Sequence, residues 1–429
     1  MQKRIQPYAV FSDGCGNIFE DTQLFAVGRS GQKLYPLYLD EMIPLPNGSD
    51  LFELPGRKTY GYNRKGELVT KSTGFACSAF IAPANTQLSI AAWKNEPDAP
   101  VLPLYAYTAV GWYKGQFYVP AVRVDSDTRQ DCEHFNQKII IKRGKEILKK
   151  FPQNKLVHHL IENCAFHYFC PAARNFAMDR WEAPVPTSPT CNARCVGCIS
   201  LQDKKESPIS ETQHRLDFVP SVDEIVQFTV PHLENAPNAI ISFGQGCEGE
   251  PLMQWELLRD AIKAVRSKTS KGIINLNTNG SKPDAVEELF KVGLDSIRVS
   301  MNSAQEKWYN MYIRPVNFKQ ADAWESLRVA RRYKRWASIN YFVMPGITDT
   351  PEELEALSRL ISETKLSMIQ WRNFNIDPDW LFSRIEYEGS SEPIGVKNVM
   401  NHIRNIFPHV YFGYFNPHKD VIMKNMVDY

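Results

Sequence analysis

The chain has 429 residues, is 43% hydrophobic and 23% charged, and carries a formal net charge of +2. That is the balance of an ordinary globular protein, long enough for one large enzyme domain and a smaller second one, and it excludes disorder and low complexity. The opening residues have two basic side chains but no apolar stretch behind them, and no apolar run approaches the roughly 18 residues of a membrane span, so the expected location is the cytoplasm with no membrane partner.

Residues 1–130 carry short β-rich runs such as 101–110 and 116–124, separated by Gly, Pro, Asn and Asp, and predict a small, mostly β N-terminal domain. Tyr113-Lys-Gly-Gln116 between these runs reads as a hairpin turn. Asp13-Gly-Cys15-Gly-Asn17 is a tight turn able to present Cys15. From 131 to 182 the texture changes to a helical linker, with a basic helix over 137–151 and a second over 155–169. Cys132, Cys164 and Cys170 fall in this linker. They are candidate metal ligands, with Cys15 or a histidine such as His167 to complete the set; against that stands their reading as idle or buried thiols in a reducing compartment.

Next comes Cys191-Asn-Ala-Arg-Cys195-Val-Gly-Cys198, a CxxxCxxC loop. Nine cysteines, three of them within eight residues, do not read as a disulfide framework in a chain without an export signal. Three thiolates on one short loop can hold three irons of a four-iron cluster and leave the fourth iron open. The same spacing admits a zinc site closed by a fourth Cys or His, a redox pair, or three unrelated core thiols.

Beyond the loop, apolar strands alternate with amphipathic helices. Strands are expected at 238–244, 272–277, 296–301, 337–343 and 368–373, with one more leading into the cysteine loop; helices are expected at 252–268, 283–292, 320–336 and 351–364. Ser221-Val-Asp-Glu224 and Thr350-Pro-Glu-Glu353 are capping boxes, the second with Pro351 at the first helical position. Repeated βα units imply parallel strands and right-handed crossovers. The prediction is an α/β fold: a partial (βα)6 TIM-like barrel over 183–410, then a C-terminal extension, 411–429. Chemistry in such barrels collects at the C-terminal strand ends, where this chain places polar clusters at 244–251, 277–280, 300–303 and 372–375.

In this order, the cysteine loop, Gly249-Glu250-Pro251 and Thr278-Asn279-Gly280 resemble the radical S-adenosylmethionine superfamily over residues 183–410. The resemblance implies a 4Fe-4S cluster on Cys191, Cys195 and Cys198, with S-adenosyl-L-methionine on its open iron. Reductive cleavage to a 5'-deoxyadenosyl radical and hydrogen abstraction from a substrate would follow, with flavodoxin or ferredoxin as electron donor. It further implies that Gly249 and Glu250 receive the methionyl ammonium and that Thr278 and Asn279 line the same pocket. Arg298, Ser300 and Asn302, on one side of the fourth strand by their period-two spacing, would meet the methionyl carboxylate or the ribose. A structural ion pair of Arg298 with Glu248 or Glu250 is the competing reading.

Two departures stand out. Gly197 occupies a position that is usually aromatic in the family, so Ile199 or another side chain must pack on the adenine, and Glu248-Gly249 replaces a double glycine. Cys247 just before it reads as a small buried residue. Cys132, Cys164 and Cys170 become candidates for a second iron-sulfur cluster, although a single cluster is the expectation. No cysteine follows Cys247 and no subfamily pattern is present, so the catalytic residues, substrate and reaction class are unknown from sequence. The loop 200–217 and the N-terminal domain are the expected places of substrate selection. Basic runs at 138–150 and 328–335 lean toward nucleic acid, but they read first as solvated helix faces, and the near-neutral charge leans back. The alternative function is a non-catalytic iron-sulfur or zinc-binding protein.

Overall fold

In the computed structural model, which describes residues 4–389 and 392–427, the second half of the chain forms a seven-stranded parallel sheet. Its strands are numbered β1 (Glu182–Val185), β2 (Ile240–Phe243), β3 (Ile273–Thr278), β4 (Ser296–Met301), β5 (Trp336–Phe342), β6 (Met368–Arg372) and β7 (Tyr411–Gly413), and they lie side by side in that order. Every pairing is parallel, from Glu182 opposite Ile240 to Met368 opposite Tyr411. A sheet whose spatial order equals its chain order returns each time through a crossover on the same face, the construction of a partial βα barrel. The crossovers are α1 (Val222–Asn235), α2 (Trp255–Lys268), α3 (Pro283–Lys291), α4 (Gln320–Arg332), α5 (Pro351–Thr364) and α6 (Val396–Ile406).

The six expected strands are all present. The seventh, β7, comes from the stretch expected to be an extension; at three residues it is too short for periodicity to show. The helix expected to run to 336 stops at Arg332, where Lys334 turns left-handed (φ 53°) and frees Trp336 to open β5.

Of the two capping boxes, the one at α1 is complete: the Ser221 hydroxyl accepts from Glu224 N, and Glu224 accepts in return from Ser221 N at 2.8 Å. At α5 only half forms. Thr350 accepts from Glu353 N, but the Glu353 carboxylate accepts from Ala304 N (2.7 Å), Gln305 Nε2 (2.9 Å) and the Tyr341 hydroxyl (2.6 Å). Glu353 is wholly buried, and tying the exit of β4 to β5 outweighs an optional cap hydrogen bond.

The N-terminal region is antiparallel β. Tyr8–Ser12 lies between Ile18–Phe25 and Gly111–Tyr113, and the latter turns through Lys114 and Gly115, both at positive φ, into Gln116–Val119. This is the expected hairpin, with the primed-turn geometry that matches strand twist. The run 101–110 forms no strand: apart from an isolated bridge at Thr108, its backbone bonds scatter, with Ala91 N donating to Tyr107 O and Tyr105 N to Asn375 O. Pro103 removes a ladder donor there. Cys15 sits on an exposed hairpin tip, where Asp13 accepts from Cys15 N and Asn17 N.

This region docks on the barrel through the segment 373–379. Arg57 pairs with Asp377 at 2.9 Å with both side chains buried, Leu102 N donates to the same carboxylate at 2.9 Å, and Arg29 reaches Asp379 at 2.6 Å. Gln87 N donates to Asn373 Oδ1 (2.8 Å), and Asn373 Nδ2 donates to Asn85 O (3.0 Å). The linker contributes a helix, Gln137–Lys150, then one α turn, Lys155–His158, that continues as a π-helix, His159–His167. Among the described residues no helix is long and apolar enough to cross a membrane.

Removing one partner of a buried ion pair strands the other charge at a cost of about 3–5 kcal/mol. Asp377→Ala should therefore lower the denaturant-unfolding free energy by about that amount. Limited proteolysis should then cut first within the N-terminal region; unchanged stability would mean that docking does not depend on this pair.

Candidate functional site

The C-terminal strand ends open into a cavity of about 720 Å³, within the range of cofactor and small-molecule sites. Its wall includes Cys191, Cys195, Cys198, Gly249, Glu250, Thr278, Asn279, Arg298, Ser300 and Asn302, so the loop cysteines and the residues expected around the cofactor meet on one surface. Phe80, Gln87, Tyr105 and Thr108 of the N-terminal region line the same space.

The cysteine loop has no regular structure and is held by hydrogen bonds to its neighbours. Arg194 N donates to Ile313 O (3.1 Å), Val196 N to Tyr312 O (2.9 Å), and Val316 N to Asn192 O (2.8 Å), while Cys198 N closes a turn on Cys195 O (3.2 Å). Arg215 donates to the Cys198 sulfur at 3.4 Å. Burial, with the Glu250 charge next, pushes the Cys191 thiol up to about 11. Burial, then the neighbouring thiols Cys198 and Cys191, pushes Cys195 well above the usual range. Thiols set against one another in this way become thiolates when a cation supplies the compensating charge. A single tetrahedral zinc needs sulfurs about 3.8 Å apart, from Zn–S bonds of about 2.3 Å. The only three Cys, His or carboxylate ligand atoms found within 4.8 Å of one another among the described residues belong to a different group, His159, Cys164 and Cys247. The wider loop set suits a multi-iron cluster better than one ion.

Two buried carboxylates fasten the loop to its neighbours. Glu248 accepts from Thr187 N (2.7 Å), Ser188 N (2.9 Å) and Gln245 N (2.7 Å), joining the exits of β1 and β2. Glu250 accepts from Asn279 N (2.7 Å), Leu252 N (3.0 Å) and the Thr278 hydroxyl, joining the exits of β2 and β3. Desolvation raises both to about 7, against the pull of these donors. Asn279 Nδ2 reaches Asn192 Oδ1 at 2.7 Å and so ties the third exit to the cysteine loop. Gly249 N donates to Ser188 O (2.7 Å), and a Cβ on Gly249 would lie 2.0 Å from Thr190 O. Only glycine fits that approach.

Arg298 pairs with neither Glu248 nor Glu250. It donates to Asn416 Oδ1, and Asn416 Nδ2 donates to Glu182 Oε1 at 2.8 Å. Burial, then the Arg372 charge, lowers its pKa to about 9, with Glu182 opposing. Arg298 Nε and Asn302 Oδ1 are buried without partners. At Gly197, a Cβ would lie 2.4 Å from Ile376 Cδ1 and 2.8 Å from the Tyr312 hydroxyl. The space an aromatic side chain would need is already filled, in part by the ring of Tyr312.

Cys132, Cys164 and Cys170 do not form a ligand set. Cys132 is exposed and packs by Gly48, Cys164 is buried against Cys247, and Cys170 lines the cavity. His167 is exposed. Sequence reading did not find Glu182, Tyr312, Asn340, Tyr414 and Asn416 in the cavity wall. Asn340 lies on a strand located from sequence, so inward parity was a usable signal; Glu182 was assigned to the linker ahead of a first strand without bounds and in fact opens β1, and Tyr414 and Asn416 follow β7, which had none.

The family model described as Radical SAM superfamily matches residues 185–361. The dual-specificity RNA methyltransferase RlmN of Marinobacter nauticus is 31% identical over 138 residues, 29% of this chain and 37% of that protein. Its counterpart from Marinomonas sp. is 28% identical over 152 residues, 33% of this chain and 40% of that protein. The chain thus spans well under half the length of these curated relatives. Among solved structures, Streptococcus suis SuiB bound to S-adenosylmethionine is 14% identical with a TM-score of 0.39, covering 64% of this chain and 63% of that one.

Glu248 and Glu250 hold their protons more tightly folded than unfolded, so their stabilising contribution is full below about 4.5 and is lost as the pH rises through about 7. In metal-free protein, Glu250→Gln should reduce the fall in unfolding midpoint between pH 5 and pH 8, followed by thermal denaturation. An identical pH profile would show that this carboxylate does not titrate there. Gly249→Ala should displace the cysteine loop and lower iron incorporation severalfold, read by iron analysis after anaerobic reconstitution; wild-type iron content would refute the close approach.

Proposed function

Because residues 185–361 are a radical SAM domain, we propose that this protein is a radical SAM enzyme in which Cys191, Cys195 and Cys198 hold a 4Fe-4S cluster and the adjoining cavity takes S-adenosyl-L-methionine. Bound and reduced, that pair supplies a 5'-deoxyadenosyl radical for hydrogen abstraction from a substrate. The observation that carries the reading is the convergence of three thiols and the ends of β2, β3 and β4 on one cavity.

The chain's own residues have definable tasks. Glu250 spends three of its roughly four lone-pair sites on protein donors, leaving capacity for an ammonium whose charge would also draw its pKa back down. Gly249 N is committed to Ser188 O, so the Gly249 carbonyl is the backbone acceptor offered to the same ammonium. Thr278 and Asn279 hold Glu250 in place. The partnerless Nε of Arg298 is a donor for a carboxylate, and the partnerless Oδ1 of Asn302 is an acceptor for a ribose hydroxyl, with Ser300 between them on the wall. Tyr312 offers the aromatic surface that Gly197 does not. Flavodoxin or ferredoxin is the proposed reductant, in the cytoplasm.

Substrate selection falls to Phe80, Gln87, Tyr105 and Thr108 on one side and Arg372 and Tyr414 on the other. The named relatives methylate RNA, so RNA nucleosides, peptides and metabolites should all be compared between cells with and without the gene.

Replacing any one of Cys191, Cys195 and Cys198 by Ala should abolish 5'-deoxyadenosine formation after dithionite reduction, with the far-ultraviolet spectrum unchanged, because a loop at strand ends adds little to the core. Wild-type yield from any single variant would overturn the assignment of that residue.

A further inference from the structure

The second half of the linker contains a backbone irregularity that the reaction does not use. His159–His167 is a π-helix, and Tyr168 N continues its i to i+5 pattern by donating to Asn163 O at 2.9 Å. In an α-helix, residues five apart diverge by about 140°; hydrogen bonding from i to i+5 instead brings residue i+5 back toward the face of residue i. Here residues i and i+5 are His159 and Cys164. Their faces are turned together at the cost of a rare helical form, one found often at functional sites.

Cys247, from the exit loop of β2, meets them. Cys164 Sγ and Cys247 Sγ are 3.6 Å apart, and a ring nitrogen of His159 lies with both sulfurs inside 4.8 Å, all three residues being buried. His159 is 9% exposed; its Nδ1 is engaged by the Asn163 amide at 3.3 Å, and its Nε2 is buried with no hydrogen-bond partner. An orphaned imidazole nitrogen in the core is costly, and two thiols beside it do little to relieve it.

We propose that His159, Cys164 and Cys247 bind a single zinc ion, a site separate from the CxxxCxxC loop. The distances decide the nuclearity. Zn–S bonds of about 2.3 Å in a tetrahedron put two sulfurs about 3.8 Å apart, and the observed 3.6 Å is already near that value. A four-iron cluster carries its thiolates on different irons, too far apart for this pair. The set is soft and mixed, two sulfurs and one nitrogen, as zinc prefers; with Nε2 on the metal, Nδ1 carries the proton, and the Asn163 amide beside it, turned over so that its Oδ1 accepts from Nδ1, is the outer partner that fixes such a ligand's orientation. Cys170, whose backbone N donates to Cys164 O at 2.8 Å, brings a further thiol to the same neighbourhood. The ion would tie the linker to the loop that carries Glu248, Gly249 and Glu250, and so brace the cofactor wall from behind.

The test uses the full chain, purified anaerobically from zinc-supplemented medium and dialysed against chelator, with zinc and iron measured by mass spectrometry. About one zinc per chain is expected, retained when Cys191, Cys195 and Cys198 are all replaced by Ala and lost in the Cys164→Ser and Cys247→Ser variants. Should those variants fail to fold, zinc-edge X-ray absorption of the wild type decides: sulfur and imidazole scatterers are required. Zinc well below one per chain, zinc indifferent to Cys164 and Cys247, a shell without sulfur, or iron retained in the triple variant in place of zinc would each overturn the proposal. So would a thiol count two short of nine in the denatured protein, since Cys164 and Cys247 would then be a disulfide.

Discussion

A carboxylate taken out of water must be solvated by something else, and at Glu248 and Glu250 that something is the backbone of three strand exits. Thr187, Ser188 and Gln245 donate to the first; Leu252, Thr278 and Asn279 donate to the second. Neither side chain can lose its donors without leaving a buried charge or a forced proton, so the ends of β1, β2 and β3 are held as one unit. The cysteine loop inherits its position from this unit, through Gly249 N to Ser188 O and Asn279 to Asn192. Thiols on an irregular loop are thereby fixed as if on a rigid element, which is what preorganised metal chemistry requires.

The same device recurs at the edges of the barrel. Glu353 gathers donors from the exit of β4 and from Tyr341, and Asp377 gathers Arg57, Leu102 N and the first turn of its own helix. Through Asp377 and Asp379 the N-terminal β region is clamped to the strand exits; Leu54, Leu88, Trp93 and Tyr107 join the barrel's apolar core, while Val10, Val110 and Val119 belong to a separate core of the β region. The cavity therefore has walls from both halves of the chain. Besides the helical linker, the two halves are joined by the buried pair Arg57–Asp377 and by Arg29–Asp379.

Charge inside the cavity is uneven. Arg298 and Arg372 stand close enough for the second to lower the pKa of the first, and Glu182 is the carboxylate that compensates, bridged to Arg298 by Asn416. Arg372 is held by Asn340 at 2.7 Å and its guanidinium lies 4.6 Å from the centre of the Tyr414 ring. Two guanidiniums set against one buried carboxylate favour an anionic group in that part of the site. Elsewhere on the same wall, Glu250 favours a cation. A zwitterion such as an amino acid moiety is the simplest ligand that satisfies both.

Sequence by itself determined the strand and helix alternation, the cysteine loop and the order of polar clusters at the strand ends, because these are local: they follow from side-chain period, capping chemistry and spacing along a few residues. That Glu250, Thr278, Asn279 and Arg298 would share one cavity wall was legible for the same reason, each sitting on or just beyond a recognisable strand. Tertiary structure alone decided their partners. Arg298 meets Asn416, more than a hundred residues away, because β7 closes the sheet with three residues that carry no period of their own. Glu353 abandons its own helix cap because burial beside Tyr341 offers it stronger obligations. Cys164 finds Cys247 and not Cys132 because a π-helix, which no residue pattern announces, turns it inward. Hydrogen bonds between distant segments are set by which surfaces the fold brings together, and the local free energies that shape a sequence pattern carry no information about that meeting.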